Sequence, residues 1–351
     1  MKTVRFFMSF SLLAFFVFLS LCCASKKEVV KEEVTYLENF SPEESGLNMT
    51  KITEESRGSI ICGRTSGAQT GSYATTILGV SQAKSIQWNC KPFLSLSPDG
   101  LKIAYVSRSN NLDNIMVRST SAQGVATQRS FRNVEGGIFW GNDNRLYFSD
   151  NNSPNFYISS MDAVQGSIMS QHTNGNVVDY FPALSSDSTI LFFTRWQASY
   201  GPSIWALNLK NGTLSSCSRG FCVGVIPGKN DEFYCVRNTT DGRSEIWHVN
   251  YVTGKETIVL SDQNKGFTNP TLSPDGRWLL VVGNSESQIT KKQNTDIYVV
   301  RVDGTQLTQL TYHPESDMSP VWSKDGKSIY FISSRANKDQ YFNIWRMNFT
   351  L

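Results

Sequence analysis

Histidine, cysteine and dense runs of basic residues are scarce in this sequence, and their scarcity limits what the chain can do. Its 351 residues include 3 His and 7 Cys, and the histidines, His172, His248 and His313, share no motif. The nucleophile elbow Gly-x-Ser-x-Gly of serine hydrolases does not occur. Lys and Arg (33) nearly balance Asp and Glu (30), so nucleic acid is not an expected partner. The sequence predicts no catalytic group, metal or cofactor.

Long apolar runs are also rare, and the one that stands out is at the N-terminus. Lys2 and Arg5 precede residues 6–21, which are apolar with few exceptions. This stretch is short for a membrane span and is typical of a signal peptide. We therefore assign residues 1–21 to an export signal.

The residues after the apolar run indicate how the protein is attached to a membrane. Leu19-Ser20-Leu21-Cys22 resembles a relaxed bacterial lipobox with Cys22 as the lipidated residue. The alternative is ordinary cleavage after Ala24, which would give a soluble secreted protein. Residues 22–45 are interpreted as a tether that includes a candidate ring-closing strand, residues 33–39. The expected location is the bacterial cell envelope, as an outer-membrane lipoprotein facing the periplasm or the cell surface.

Aspartates recur at a fixed interval. Five stand 44 residues apart and a sixth follows after 50: Asp99, Asp143, Asp187, Asp231, Asp275 and Asp325. Only 16 residues of the chain are Asp, so the spacing is an internal repeat. A period of roughly 40 to 45 residues with strand-like segments between turns indicates a β-propeller with one four-stranded blade per period. The predicted fold class is therefore all-β.

The residues around the aspartates have turn chemistry. Ser-Pro-Asp-Gly surrounds Asp99 and Asp275, and related turns contain Asp187 and Asp325. Pro presets φ, Asp bonds the backbone two residues on, and Gly accepts a positive φ. Strands are predicted after these turns, at residues 102–106, 190–194, 278–282 and 328–332. The aspartates are thus interpreted as structural rather than as calcium ligands or a sialidase-type Asp box.

The repeats resemble a known family. Ser-Pro-Asp-Gly, a following apolar strand, Asp303-Gly304 and then Gln309-Leu310-Thr311 resemble the WD40-like (PD40) repeat of TolB-type propellers, over residues 93–351. The resemblance implies the fold. The same repeats occur in TolB, in propeller domains of prolyl oligopeptidase-type peptidases and in many bacterial secreted proteins.

The number of blades has two interpretations. Residues 46–351 are assigned to the propeller, and a degenerate unit around Glu55 gives seven blades, which we favour. In the alternative there are six blades, and residues 50–90 form a separate cap. Because the last repeat stops short of an outer strand, an N-terminal strand is expected to close the ring.

Two cysteines and two insertions complete the predictions. Cys217 and Cys222 flank a turn-like sequence and are the favoured disulfide, with reduced strand residues as the alternative. Loops on a rigid propeller are the usual binding elements. The candidate binding residues lie in two loops: Trp196, Tyr200, Gln288, Lys291 and Lys292.

Two functions of different class follow. The first is a non-enzymatic, envelope-anchored scaffold that binds a protein or glycan partner on one propeller face. The second is a secreted lyase or hydrolase with unrecognised rim residues. A cluster of carboxylate, Tyr, Arg or His side chains at the ring axis would favour the enzyme, whereas an axis lined by small or apolar residues would favour the scaffold.

Overall fold

The computed structural model describes nine segments of the chain. They are residues 42–53, 93–109, 112–130, 134–152, 155–163, 169–197, 199–286, 293–336 and 342–350. The predicted signal peptide, Cys22 and residues 33–39 lie outside them, as do Gln288, Lys291 and Lys292. No helix in these segments is long and apolar enough to cross a membrane.

The described residues form antiparallel β-strands in sets of four, preceded by a short 3₁₀ helix, Pro42–Leu47. The first three blades consist of β2 Leu94–Leu96, β3 Lys102–Ser109, β4 Leu112–Ser119 and β5 Thr127–Gln128; β6 Val134–Trp140, β7 Arg145–Asn152, β8 Asn155–Asp162 and β9 Ser170–Gln171; and β10 Val178–Leu184, β11 Ile190–Gln197, β12 Gly201–Asn208 and β13 Leu214–Arg219. A single parallel pair, Val178 with Phe156, links the second of these blades to the third.

The other three blades follow the same order, from an inner strand at the axis to an outer strand at the perimeter. They consist of β14 Phe221–Ile226, β15 Lys229–Asn238, β16 Ser244–Asn250 and β17 Lys255–Leu260; β18 Phe267–Leu272, β19 Trp278–Glu286, β20 Gln293–Arg301 and β21 Thr308–Gln309; and β22 Asp317–Trp322, β23 Ser328–Ser333, β24 Asn343–Asn348 and β1 Thr50–Lys51. The four predicted strands are therefore confirmed, as β3, β11, β19 and β23.

The described chain contains six blades, and its inner strands form a closed ring. Each inner strand contacts the next, and β2 of the first blade contacts β22 of the sixth. The Phe93 amide donates to Ser319 Oγ at 3.3 Å across that junction. No inner strand of a further blade stands between them in the described residues. Six is the number of blades in the alternative interpretation, although Thr50–Lys51 belongs to the sixth blade and not to a cap. The favoured seventh unit around Glu55 and the rest of the proposed cap fall on residues 54–92, outside the described segments.

The ring is closed by an N-terminal strand, as expected in principle, but from a different segment. β1 pairs antiparallel with β24, with Thr50 opposite Arg346 and Lys51 opposite Trp345. The place beside β24 is thus taken by Thr50–Lys51, whereas the candidate segment, residues 33–39, lies outside the described residues. The sequence pattern favoured the longer β-rich segment, whereas two residues are enough to cover this edge.

A buried ion cluster fastens this N-terminal segment to the sixth blade. Arg335 donates from Nη1 to Glu44 Oε2 at 3.0 Å and from Nη2 to Glu44 Oε1 at 3.1 Å, and Nη2 also reaches Asp317. Glu44 Oε1 accepts the amides of Tyr312 (2.7 Å) and His313 (3.2 Å) as well. All three charged side chains are fully buried. Burial raises the pKa of Asp317 to about 6, against the attraction of Arg335.

The hydrophobic core lies between the blades. In one cluster, Leu280 and Val299 of the fifth blade pack with Phe331 and Trp345 of the sixth. In another, Phe192 of the third blade packs against Phe233 of the fourth, with ring centroids 5.3 Å apart. This inter-blade packing fixes the inner strands around the axis.

Candidate functional site

Five inner strands share one backbone irregularity. A residue in the left-handed region interrupts each: Gly137 (φ 86°), Phe181 (53°), Cys222 (57°), Asn269 (54°) and Ser319 (52°). The register with the second strand of the blade shifts at each position, as in a β-bulge. This conformation costs a non-glycine residue on the order of 1 kcal/mol or more. Bulges of this kind bend the strand locally.

The axis encloses a cavity of about 340 Å³. Every blade contributes an apolar residue to its wall: Leu94, Ile138, Pro182, Val223, Pro270 and Pro320. Five of these residues come directly after the left-handed positions. The volume is within the usual range for a binding pocket, and a mainly apolar wall is typical of one.

One end of the cavity reaches the turns between the first and second strands. Pro98, Pro227, Pro274 and Lys324 line it there. Lys324 is exposed and is the one charged side chain among the lining residues that the structure describes. The cavity is therefore an apolar funnel with a proline-rich mouth and a single cation beside it.

The ladder aspartates stand on the same face as this mouth. In the four best turns, a Ser hydroxyl two residues earlier donates to the Asp Oδ1, and the amide two residues later donates to the same oxygen: Asp99, Asp187, Asp275 and Asp325. The pKa of Asp275 falls to about 2 because Ser273 and Arg277 stabilise its charged form. Each aspartate thus fastens its own hairpin.

The candidate aromatic residues lie on the opposite face. Trp196 is the residue before the last one of β11. Tyr200 lies in the following hairpin turn, where its amide donates to the Gln197 carbonyl at 3.1 Å. Tyr200 is 82% exposed. Trp196 is half-buried, and its indole N–H has no hydrogen-bond partner among the described residues. Trp196 and Tyr200 therefore do not line the axial cavity.

The other described tryptophans belong to the packing. Trp140, Trp322 and Trp345 are buried. Trp205, Trp247 and Trp278 are half-buried, and the guanidinium group of an arginine covers each ring. The distances from the arginine Cζ to the ring centroid are 4.8 Å for Arg195 over Trp205, 4.3 Å for Arg237 over Trp247 and 5.0 Å for Arg301 over Trp278. Their exposed area is accordingly small, which fits a structural role.

Cys217 and Cys222 are not joined to each other, so the favoured disulfide is absent. The two residues belong to different blades and different clusters: Cys217 packs at the junction of the third and fourth blades, whereas the Cys222 thiol donates to Asn269 Oδ1 at 3.3 Å next to the axis. Burial raises the pKa of the Cys217 thiol to about 12. The turn-like spacing was misleading because Gly220 marks the passage from one blade to the next.

The histidines are spread over three surroundings. His172 Nε2 lies 2.7 Å from Ser160 Oγ, and burial lowers the pKa of His172. Ser160 is fully buried. His248 lies 3.2 Å from Glu232, and burial together with Arg335 lowers the pKa of His313 to about 3. No group of three or more His, Cys, Asp or Glu side chains that could hold a metal occurs in the described segments.

Comparison with known proteins identifies the repeats. The family model for the TolB beta propeller domain (PD40) matches residues 238–349. The chain carries a TolB-like β-propeller. A protein TolB homolog from Chlorobium luteolum is 27% identical over 180 residues, which is 51% of this chain and 29% of the relative. The chain thus spans less than a third of that relative's length.

Solved structures extend the likeness of the TolB-like propeller to most of the chain. The putative TolB from Agrobacterium tumefaciens superposes with a TM-score of 0.55 at 15% identity, covering 74% of this chain and 90% of that one. An oligogalacturonate lyase from Vibrio parahaemolyticus gives a TM-score of 0.54 at 13% identity, covering 88% and 95%. At these identities the structures establish the fold alone.

Sequence reasoning missed the axial funnel. Its signal is present, because Pro follows the left-handed residue in three inner strands, at Phe181-Pro182, Asn269-Pro270 and Ser319-Pro320. The first two pairs stand 88 residues apart, which is twice the ladder interval. A recurring X-Pro in an inner strand was therefore available as a marker of the axis.

Proposed function

We propose that this TolB-like propeller is a non-enzymatic scaffold that binds a protein partner at the mouth of the axial funnel. The proposal rests mainly on the wall of the funnel, which is mainly apolar and contains a proline or aliphatic residue from every blade, with Lys324 as its one charged side chain in the described segments. A rigid apolar pocket suits the burial of a partner's apolar side chains, which drives most protein association.

The scaffold is proposed to work in the bacterial envelope. Its support is the signal-like segment of residues 1–21 and the lipobox-like sequence ending at Cys22. A lipid on Cys22 would tether the propeller to the outer membrane through residues 22–45. One lipid chain gives weak membrane binding, and binding to an envelope partner would supply the second interaction that keeps the protein at the membrane.

The alternative is a lyase or hydrolase. A lyase acting on an acidic glycan needs a general base close to groups that neutralise the substrate carboxylate. Lys324 is the one charged side chain in the described wall, and the carboxylate close to it, Asp99, is engaged by Ser97 and the Leu101 amide within its own turn. A glycan ligand would instead be sought at the hairpin of Trp196 and Tyr200. Formation of unsaturated product from oligogalacturonate by the purified protein would favour the enzyme over the scaffold.

Site-specific photocrosslinking in cells tests the scaffold. A photoreactive phenylalanine analogue replaces Lys324 at the mouth, and a matched control places it at Val125, which is 85% exposed. We expect a discrete crosslinked protein band from position 324 and none from position 125, because the mouth is the proposed contact. Equal crosslinking from both positions, or none from position 324, would remove the funnel as the docking site.

Lipidation is tested separately by labelled palmitate. We expect incorporation into the wild-type protein and its loss in Cys22→Ala, with the variant released from the membrane fraction. Cys23→Ala is the matched control and should keep the label. Absence of label in the wild type would return the protein to a soluble, cleaved form while leaving the crosslinking result intact.

A further inference from the structure

The outer strands of the propeller are unequal. Those of the first, second, fifth and sixth blades are two residues long, whereas β13 and β17 have six residues each. Both stand at the end of their sheet in the described chain, so one edge of each has no partner strand there. A long free edge presents unpaired N–H and C=O groups and is a template for another strand.

The backbone groups that face outwards from β13 follow from its pairing. The Asn208 amide donates to the Thr213 carbonyl at 2.8 Å, which closes the hairpin with β12. Leu214 lies opposite Leu207 and Ser216 opposite Trp205. Since hydrogen-bonded and non-bonded pairs alternate in an antiparallel ladder, the N–H and C=O groups of Leu214 and Ser216 point away from β12. A shift in register next to Ser216 ends the regular part of this edge.

The side chains of β13 lack the usual protection of an edge. Residues 214–216 are exposed, and no Lys, Glu, Asp, Arg or Pro occurs between Lys210 and Arg219. The neighbouring edge differs, since β17 begins with Lys255 and Glu256. Charged residues and proline are the common devices that prevent edge pairing. The free edge of β13 is therefore more open to a partner than that of β17.

The charges that flank β13 select the partner. Lys210 lies in the turn four residues before the strand and Arg219 is its last residue, and both are exposed. Glu256 of β17 is close by; it pairs with Arg237 at 2.5 Å and also attracts Arg219, whose side chain remains exposed. In an antiparallel pairing of two copies of β13, the turn that carries Lys210 in one copy would lie beside the Arg219 end of the other copy, which brings like charges close together and is unfavourable. A strand with acidic ends meets both cations.

We infer that the outer edge of β13 is a docking site for an extended strand of a protein partner with an uncharged centre and acidic ends. The added strand would extend the third blade to five strands by pairing with Leu214 and Ser216. This surface is at the perimeter and does not include any residue of the axial funnel, so it is independent of the proposed function.

The probe is a labelled peptide, acetyl-Glu-Thr-Val-Thr-Val-Thr-Val-Glu-amide, titrated with the purified protein by fluorescence anisotropy. We expect saturable binding by the wild type and binding weaker by about tenfold or more in Ser216→Pro, which removes an outward N–H. Raising the salt concentration should weaken wild-type binding, since the contacts at the ends are exposed charges. The peptide with Lys in place of both Glu residues should bind more weakly than the acidic one.

A charge-swapped variant keeps the test informative if Ser216→Pro fails to fold. Lys210→Glu with Arg219→Glu leaves the backbone unchanged and should prefer the Lys-ended peptide. Absence of saturable wild-type binding, or the same peptide preference in the charge-swapped variant, would overturn the inference. Dimerisation of the wild type in analytical ultracentrifugation that Ser216→Pro abolishes would overturn it as well, by making the edge a contact between copies. Crosslinking from position 324 should persist in the charge-swapped variant.

Discussion

Replacing Arg335 by Ala should destabilise the propeller by about 3–5 kcal/mol, because Glu44 and Asp317 would remain buried without their cation. All three side chains are fully buried, and Arg335 links Glu44 of the N-terminal segment to Asp317 of the sixth blade. The measurement is urea-induced unfolding at pH 7, followed by tryptophan fluorescence. The ring should also open at the seam between β1 and β24, seen as faster amide exchange in both strands.

The pH dependence of this loss has a definite sign. Asp317 has a pKa raised by burial to about 6, above its unfolded value of 3.8. The folded state therefore binds more protons than the unfolded state between these values, and its stability falls as the pH rises through this window. Without Arg335, Asp317 loses the positive charge that stabilises its ionised form, so the pKa of Asp317 rises further. The loss caused by Arg335→Ala should accordingly be smaller at pH 5 than at pH 7.

Arg277→Ala is the matched control for this prediction. Arg277 pairs with Asp275 at 2.7 Å, but the two side chains are 67% and 44% exposed. An exposed pair of this kind contributes about 0–1 kcal/mol. If Arg335→Ala lost no more stability than Arg277→Ala, the buried cluster would not be what holds the N-terminal segment in place.

The fold could be predicted from the sequence because the repeat depends on local chemistry. Asp99 or Asp275 forms its turn with residues two positions away, and the strand that follows is apolar. The turn and the strand of each unit are therefore determined by residues close together in the sequence, and not by the rest of the chain. This is why the all-β propeller and the positions of β3, β11, β19 and β23 are found from the aspartate ladder.

The features that failed depend on residues far apart in the chain. Glu44 meets Arg335 across 291 positions, and no periodic pattern marks that pair. The closing strand β1 is two residues long, below what strand propensity can detect. Cys217 and Cys222 are close in sequence, yet a change of blade separates their surroundings. The closing strand, the buried ion cluster and the absence of the disulfide therefore needed the three-dimensional arrangement.

Adding one methyl group next to the axis should also have a large effect. Gly224 lies on β14, and a Cβ at this position would be 2.3 Å from the carbonyl oxygen of Pro270 on the neighbouring β18. The Pro270 carbonyl is a backbone group and cannot rotate away as a flexible side chain could, so the fourth and fifth blades must move apart. We expect Gly224→Ala to lose about 1–3 kcal/mol in urea unfolding.

Gly46→Ala is the comparison for Gly224→Ala, since a Cβ there meets nothing within 4 Å and the residue has no positive φ. It should stay within about 0.5 kcal/mol of the wild type. Because Gly224 and Pro270 both line the funnel, Gly224→Ala should in addition weaken crosslinking from position 324. A variant as stable as the wild type would mean that the fourth and fifth blades separate easily, and a rigid funnel could then no longer be the basis of partner binding.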